Sequence, residues 1–211
     1  VKINRIFLDL DDVCNEFTLQ ALSEFWCEIA PGEYHKYKPD WGFDILRAAK
    51  ELYPWDVDSI PPEEFWDRFD QQFWAGLPES EEFKELIELS KDIVGFQDTL
   101  ILTAPIVYTE QDTLDDCWRD ITAACLAGKY DWIVDHFPFE LHRNFSMSPA
   151  KHLSATPDAL LIDDSGKNVT DFKAAGGQAI LMPRPWNNLH YLKGSAVMTH
   201  VYSRLSEILQ A

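Results

Sequence analysis

The stretch "RIFLDLDD", Arg5 to Asp12, sends an apolar run straight into three aspartates, Asp9, Asp11 and Asp12. Residues 3–8 alternate little between apolar and polar, as expected of a strand covered on both faces. Like charges this close repel, and each raises its neighbour's pKa. A bound cation, a substrate, or solvent at a loop tip must offset that cost. Outward from this stretch, three more apolar runs read as strands: "TLILTAP" (99–105), "ALLIDDSG" (159–166) and "QAILMP" (178–183). "FELHRNF" (139–145) reads as a further short strand.

Helical spacing occupies 17–29, 45–53, 62–74 and 81–91, then 111–126, 130–137 and 197–209. "PPEEF" suits a helix start, with prolines in the first positions and acids in the first turn. "VTDFKAAGG" is a helix with a glycine stop. "APGEYHKYKPDWGFD" (30–44) reads as loop. Strands alternating with helices imply a parallel sheet with helices on both faces. The expected fold is therefore α/β, a Rossmann-like three-layer parallel sheet. The helical block after the first strand does not fit a tight crossover and reads as an inserted cap. The expected domains are a core of 1–13 and 96–211 and a cap of 14–95.

Composition narrows the function. The chain has 211 residues, 46% hydrophobic and 26% charged, which is globular. No apolar stretch approaches the roughly 20 residues of a membrane span. The first residues lack a signal peptide's apolar core and read as an immediate strand. Four cysteines, Cys14, Cys27, Cys117 and Cys125, form no CxxC pair or zinc spacing, so reduced thiols in a cytoplasmic setting are expected. The net charge of −18 argues against long nucleic acid. It does not exclude small anions, because a local cation reverses the field within one pocket. The six histidines show no metal-ligand spacing.

In open α/β sheets, ligands bind beyond the carboxyl ends of the strands. Three runs end there in polar residues: Asp9 and Asp11, Thr103, and Asp163 and Asp164. Clustered carboxylates suit Mg²⁺, a hard cation that takes oxygen ligands. Asp9 is placed to attack phosphorus. Asp11, two residues on, points the same way along an extended strand and can move a proton. Thr103 can donate to a phosphoryl oxygen, and a lysine is wanted for charge.

"FLDLDDV", "ILTAP", a downstream lysine and "LLIDDSGKNV" resemble, in order, the four motifs of haloacid-dehalogenase-type phosphohydrolases. "FWDRFDQQFW", "KYDWIVDHFP" and "GGQAILMPRPWN" resemble the 5'(3')-deoxyribonucleotidase branch. The resemblance implies a Mg²⁺-dependent phosphomonoesterase acting on nucleoside monophosphates, with deoxyribonucleotides favoured. It implies Asp9 as nucleophile, Asp11 as acid/base offering its carbonyl to the metal, and Thr103 as the second-motif hydroxyl. Lys151 in "SPAKHL" best matches the third-motif lysine. Lys167, after the acidic pair, reads as the start of a solvated helix. Asp164 matches the main metal ligand, with Asp163 in support. Phe17, Trp74, Ala104 and Arg143 are expected against the substrate, a small phosphate ester, and a homodimer is compatible with this reading.

Asp12 departs from the family, which often carries glycine there. The simplest expectation is a solvated turn residue; an acid there could instead disturb the loop or the metal. Arg184 has a weaker claim as a phosphate or base contact, and Trp186 and Asn187 read as a loop anchor. Other readings are a phosphatase for another small ester, such as a sugar phosphate, and a silent binding protein on the same fold.

Overall fold

In the computed structural model, residues 1–24, 36–52, 61–106 and 116–211 are described. The expected loop at 30–35, the ends of the helices at 17–29 and 45–53, the start of that at 111–126, and Cys27 lie outside these residues. Five strands form one parallel sheet: β1 (Arg5–Leu8), β2 (Thr99–Thr103), β3 (Phe145–Met147), β4 (Ala159–Asp163) and β5 (Gln178–Leu181). Their order is β3-β2-β1-β4-β5, so β1 is central and all carboxyl ends share one edge.

The near-continuous apolar strands are explained by burial on both faces. Ile6, Leu8, Ile101, Leu160 and Ile162 join one core cluster, while Phe7, Leu102 and Leu161 join another. Helix α5 (Phe83–Val94) lies against β1 and β2, and α8 (Ser195–Gln210) against β5. The second cluster is closed by Val169 and Phe172 of α7 (Gly166–Ala174). The sheet is therefore the middle of three layers, as expected. Because α5 packs on the sheet, the chain returns to the core before residue 95.

Among the described residues, the other helices before α5 are α1 (Phe17–Ser23), α2 (Ile45–Leu52), α3 (Pro62–Asp67) and α4 (Gln71–Ala75). One helix was expected over 62–74, but two form. Asp70 breaks the run by capping α4, its carboxylate accepting from Phe73 N–H at 2.8 Å. The reverse holds further on. Separate helices were expected over 111–126 and 130–137, yet α6 runs unbroken from Asp116 to His136. Gly128 marks a close approach there rather than a break. A Cβ at 128 would stand 2.4 Å from Trp74 Cβ and 2.5 Å from the Gln71 carbonyl oxygen. The strand expected at 139–145 is also corrected: Phe139–Leu141 form a 3₁₀ turn, and pairing with β2 starts only at Phe145.

Gly128→Ala should therefore force α4 away from α6. Overpacking of this kind costs roughly 1–3 kcal/mol, more than the gain in helix propensity of about 1 kcal/mol. Urea unfolding of the variant would test it, and a midpoint equal to or above that of the native sequence would count against the close approach.

Candidate active site

Each strand end delivers a group to one edge. Asp9 follows β1, Thr103 closes β2, and Asp163 closes β4 with Asp164 next. Pairing of Leu8 with Ile162 sets Asp9 beside Asp163. Asp9, Asp163 and Asp164 are buried, and each offers a carboxylate oxygen within 4.8 Å of the others. Lys151, on the 3₁₀ turn Lys151–Ser154 after β3, reaches between them. Its Nζ lies 2.6 Å from Asp9 Oδ1 and 2.8 Å from Asp163 Oδ2. Lys167 is exposed and pairs with Asp171, as a solvated helix residue should.

The Asp9 and Asp163 carboxylates are tethered differently. Leu10 N–H also donates to Asp9 Oδ1, at 2.7 Å, so both tethers fall on Oδ1 and, among the described residues, none falls on Oδ2. Asp163 is saturated by Lys151, by Ser165 N–H and by the Asn168 amide. Asp164 accepts from the Trp186 indole at 2.6 Å.

A second lysine was missed by sequence reasoning. Lys129, from the middle of α6, is 1% exposed. It donates to Asp11 Oδ2, to Thr103 Oγ at 3.1 Å and to the Ala104 carbonyl. Those three acceptors use all three ammonium protons. The ammonium also lies 5.1 Å from the Trp74 ring centre. The "KYDWIVDHFP" segment carries part of the family resemblance, but a lysine amid helical residues otherwise looks like solvated surface.

Other expectations need correction. Arg143 is exposed in the turn ahead of β3, at the amino end of that strand, away from the site edge. Trp74 is 1% exposed, stacked on Phe17 at 4.7 Å between centroids, its indole donating to the Phe69 carbonyl. Phe17 also lies parallel to Trp66. These two rings are core packing beneath the site, not an open platform. Arg184 bonds to the Asp12 carbonyl and to Glu82, so it braces the site loop. Asp12 is buried rather than solvated. It has φ 60°, alone among the described non-glycine residues, and its carboxylate accepts from Thr18 N–H at 2.8 Å and Thr18 Oγ at 2.6 Å.

Burial makes this charge expensive. It pushes the Asp9 carboxyl up to about 7, with Asp163 and Asp11 adding and Lys151 opposing. Burial likewise raises Asp164 well above the carboxylate range, with Asp12 and Asp163 adding. For Lys129, burial alone would lower the ammonium, but Asp11 and its neighbours outweigh it and the net shift is upward. Carboxylates outnumber ammonium groups here, and the donor set is all oxygen. Both features fit a hard divalent cation. Burial pushes the Cys14 thiol up, which suits no thiolate chemistry.

Buried ammonium groups beside an all-oxygen carboxylate cluster, at the carboxyl edge of a parallel sheet, suit a phosphate ester. The family model described as "5' nucleotidase, deoxy (Pyrimidine), cytosolic type C protein" matches residues 2–199. The chain belongs to this family and is a phosphoric monoester hydrolase of the 5'-nucleotidase type, as the motif resemblance implied. No curated protein sequence matches it. Among solved structures, a HAD family enzyme from Bacteroides thetaiotaomicron in complex with magnesium is 13% identical, at TM-score 0.39, covering 91% of this chain and 98% of that one. A HAD family hydrolase from Deinococcus radiodurans with bound phosphate and sodium is 16% identical, at TM-score 0.42, covering 98% and 96%. L-2-haloacid dehalogenase from Xanthobacter autotrophicus is 13% identical, at TM-score 0.44, covering 96% and 88%. Likenesses at this level carry no weight beside the family match. Among the described residues, no helix is long and apolar enough to cross a membrane.

The raised Asp9 carboxyl has a consequence for stability. It ionises at about 7 when folded against an ordinary value of 3.8. Stability present at low pH is therefore lost as pH rises through roughly 4 to 7. In chelator, Asp9→Asn escapes this loss, so its Tm advantage over the native sequence should widen across that window. Parallel Tm curves for the two proteins would refute a desolvated Asp9.

Proposed function

We propose that the enzyme is a Mg²⁺-dependent phosphomonoesterase that dephosphorylates nucleoside 5'(3')-monophosphates, deoxyribonucleotides favoured, through an aspartyl-phosphate on Asp9. The observation that carries this is the tethering of Asp9. Lys151 and Leu10 N–H both hold Oδ1, which leaves Oδ2 as the attacking oxygen. Oδ2 bonds to phosphorus, the ester P–O bond breaks, and the leaving oxygen takes a proton from Asp11. Asp11 then takes a proton from water as it attacks the acyl phosphate, and inorganic phosphate leaves.

Lys129 suits a role in holding the phosphoryl group. Its three donors are committed, so an incoming phosphoryl oxygen must replace one acceptor. Replacing Asp11 would free that carboxyl for proton transfer while Thr103 and Ala104 keep the ammonium in place. Thr103 Oγ accepts from Lys129, so its own proton remains for a phosphoryl oxygen. Asp9, Asp164 and the Asp11 carbonyl would hold Mg²⁺, with Asp163 fixing Lys151 in support. The ion would supply positive charge to the phosphate oxygens.

Selection of the leaving group falls to the cap. With Phe17 and Trp74 buried, the half-buried Trp66 and Phe73 beside them are the better stacking candidates. The same reading places the enzyme in the cytoplasm, working on a small phosphate ester rather than on long nucleic acid or at a membrane.

Asp9→Asn should abolish phosphate release while leaving the fold intact, and excess chelator should silence the native enzyme until Mg²⁺ is restored. Near-normal turnover in either case would sink the mechanism. Lys129→Met should lower kcat at least about a hundredfold, the scale of one lost electrostatic donor. Single-turnover phosphate release would measure it, and a purely KM effect would remove Lys129 from the chemical step. Nucleoside monophosphates should exceed sugar phosphates by at least about tenfold in kcat/KM, the scale of one stacked base. Equal or better turnover of sugar phosphates would leave only the phosphatase.

A further inference from the structure

The loop after β5, Pro183 to Asn187, reaches both acidic loops of the site. Arg184 Nε donates to the Asp12 carbonyl at 2.5 Å, and its Nη2 lies 2.9 Å from Glu82, just ahead of α5. Trp186 Nε1 donates to Asp164 Oδ2 at 2.6 Å. Asn187 Nδ2 donates to the Asp164 carbonyl at 2.9 Å and the Met182 carbonyl at 2.8 Å. Asp164 is thus held through its main chain by Asn187 and through its side chain by Trp186.

The Trp186 ring is itself pinned from the inserted region. Tyr37 meets it edge-on at 5.4 Å, and Phe43 lies at 6.1 Å. Tyr37 packs in turn on Trp41, and its hydroxyl donates to the Gly42 carbonyl. An indole N–H is a donor only, with a single proton. Spending it on Oδ2 restrains the carboxylate's rotation and takes up one acceptor site of that oxygen, so Oδ1 is the freer oxygen to offer a cation.

We propose that Trp186 is a positioning residue for the metal site. Its indole sets the orientation of Asp164, and its packing against Tyr37 and Phe43 ties that orientation to the inserted region. The inference rests on the reading of Asp164 as a Mg²⁺ ligand. Partners that orient metal ligands in this way typically change affinity by about 10–100-fold when removed.

The test is calorimetric titration of Mg²⁺ into substrate-free protein, with apo melting curves recorded alongside. Trp186→Phe keeps an aromatic ring between Tyr37 and Phe43 but deletes the donor together with the pyrrole half of the indole. Its Mg²⁺ Kd should rise at least about tenfold, and its apo Tm should fall, because a buried carboxylate loses its donor and the smaller ring leaves a cavity. Tyr37→Leu keeps the donor but loosens the ring, and should weaken Mg²⁺ in the same direction by a smaller factor. If Trp186→Phe binds Mg²⁺ as the native protein does, the inference is overturned, whatever happens to Tm. Should that variant fail to fold, an unchanged Kd in Tyr37→Leu overturns it instead. Asp164→Ala separates the two levels. If it keeps native affinity, the metal reading itself fails; if it loses Mg²⁺ while Trp186→Phe does not, only the positioning role fails.

Discussion

Everything at the site edge depends on the Lys151 ammonium standing between Asp9 and Asp163. The parallel register of β1 and β4 leaves these two carboxylates side by side, and the strands that carry them are covered on both faces. Both carboxylates are buried. An ammonium inserted from the turn after β3 is what makes the pairing tolerable, and it arrives from beyond β2, across the full width of the central strands. Buried ion groups of this sort give little net stability, yet removing one partner typically costs about 3–5 kcal/mol. The arrangement is therefore better understood as something the fold supports than as something that supports the fold.

Lys129 repeats this solution from another element. It sits one residue beyond Gly128, where α4 and α6 come closer than any side chain would allow. The close approach sets the Trp74 ring beneath the Lys129 ammonium, and the Lys129 stem leads from the α4–α6 contact into the site. The α4–α6 contact and the site are thus joined through one residue. The rings of Phe17 and Trp74, which look from sequence like a platform for substrate, spend their surface on holding that interface together.

What sequence reveals here follows from how local each signal is. The strand ends were legible because an apolar run that stops in acids carries its own evidence, and Lys151 because it lies between two such runs in a known order of motifs. Arg143 misled because a basic residue near a strand says nothing of which end it occupies. Lys129 stayed hidden because its partners are 118, 26 and 25 residues away along the chain. The unbroken α6 was hidden for a related reason: glycine usually weakens a helix, and only tertiary contact shows that it is there for space. Trp186 and Asn187 did read as a loop anchor, though nothing local said that the thing anchored is an acidic site residue.

Asp12 shows how such long-range partners let the chain carry an acid where the motif resemblance implies glycine. A left-handed conformation costs a non-glycine residue roughly 1–2 kcal/mol, and aspartate is among the few that adopt it readily. Glycine would avoid that cost but would leave Thr18 without an acceptor at the start of α1. Aspartate accepts from the Thr18 amide and hydroxyl, while its own carbonyl accepts from Arg184. Burial pushes its carboxyl up to about 8, with Thr18 opposing. The same residue that bends the loop therefore fastens it to the first cap helix and to the Pro183–Asn187 brace. Flexibility is exchanged for a loop held from two sides, and the two catalytic candidates, Asp9 and Asp11, lie immediately before it.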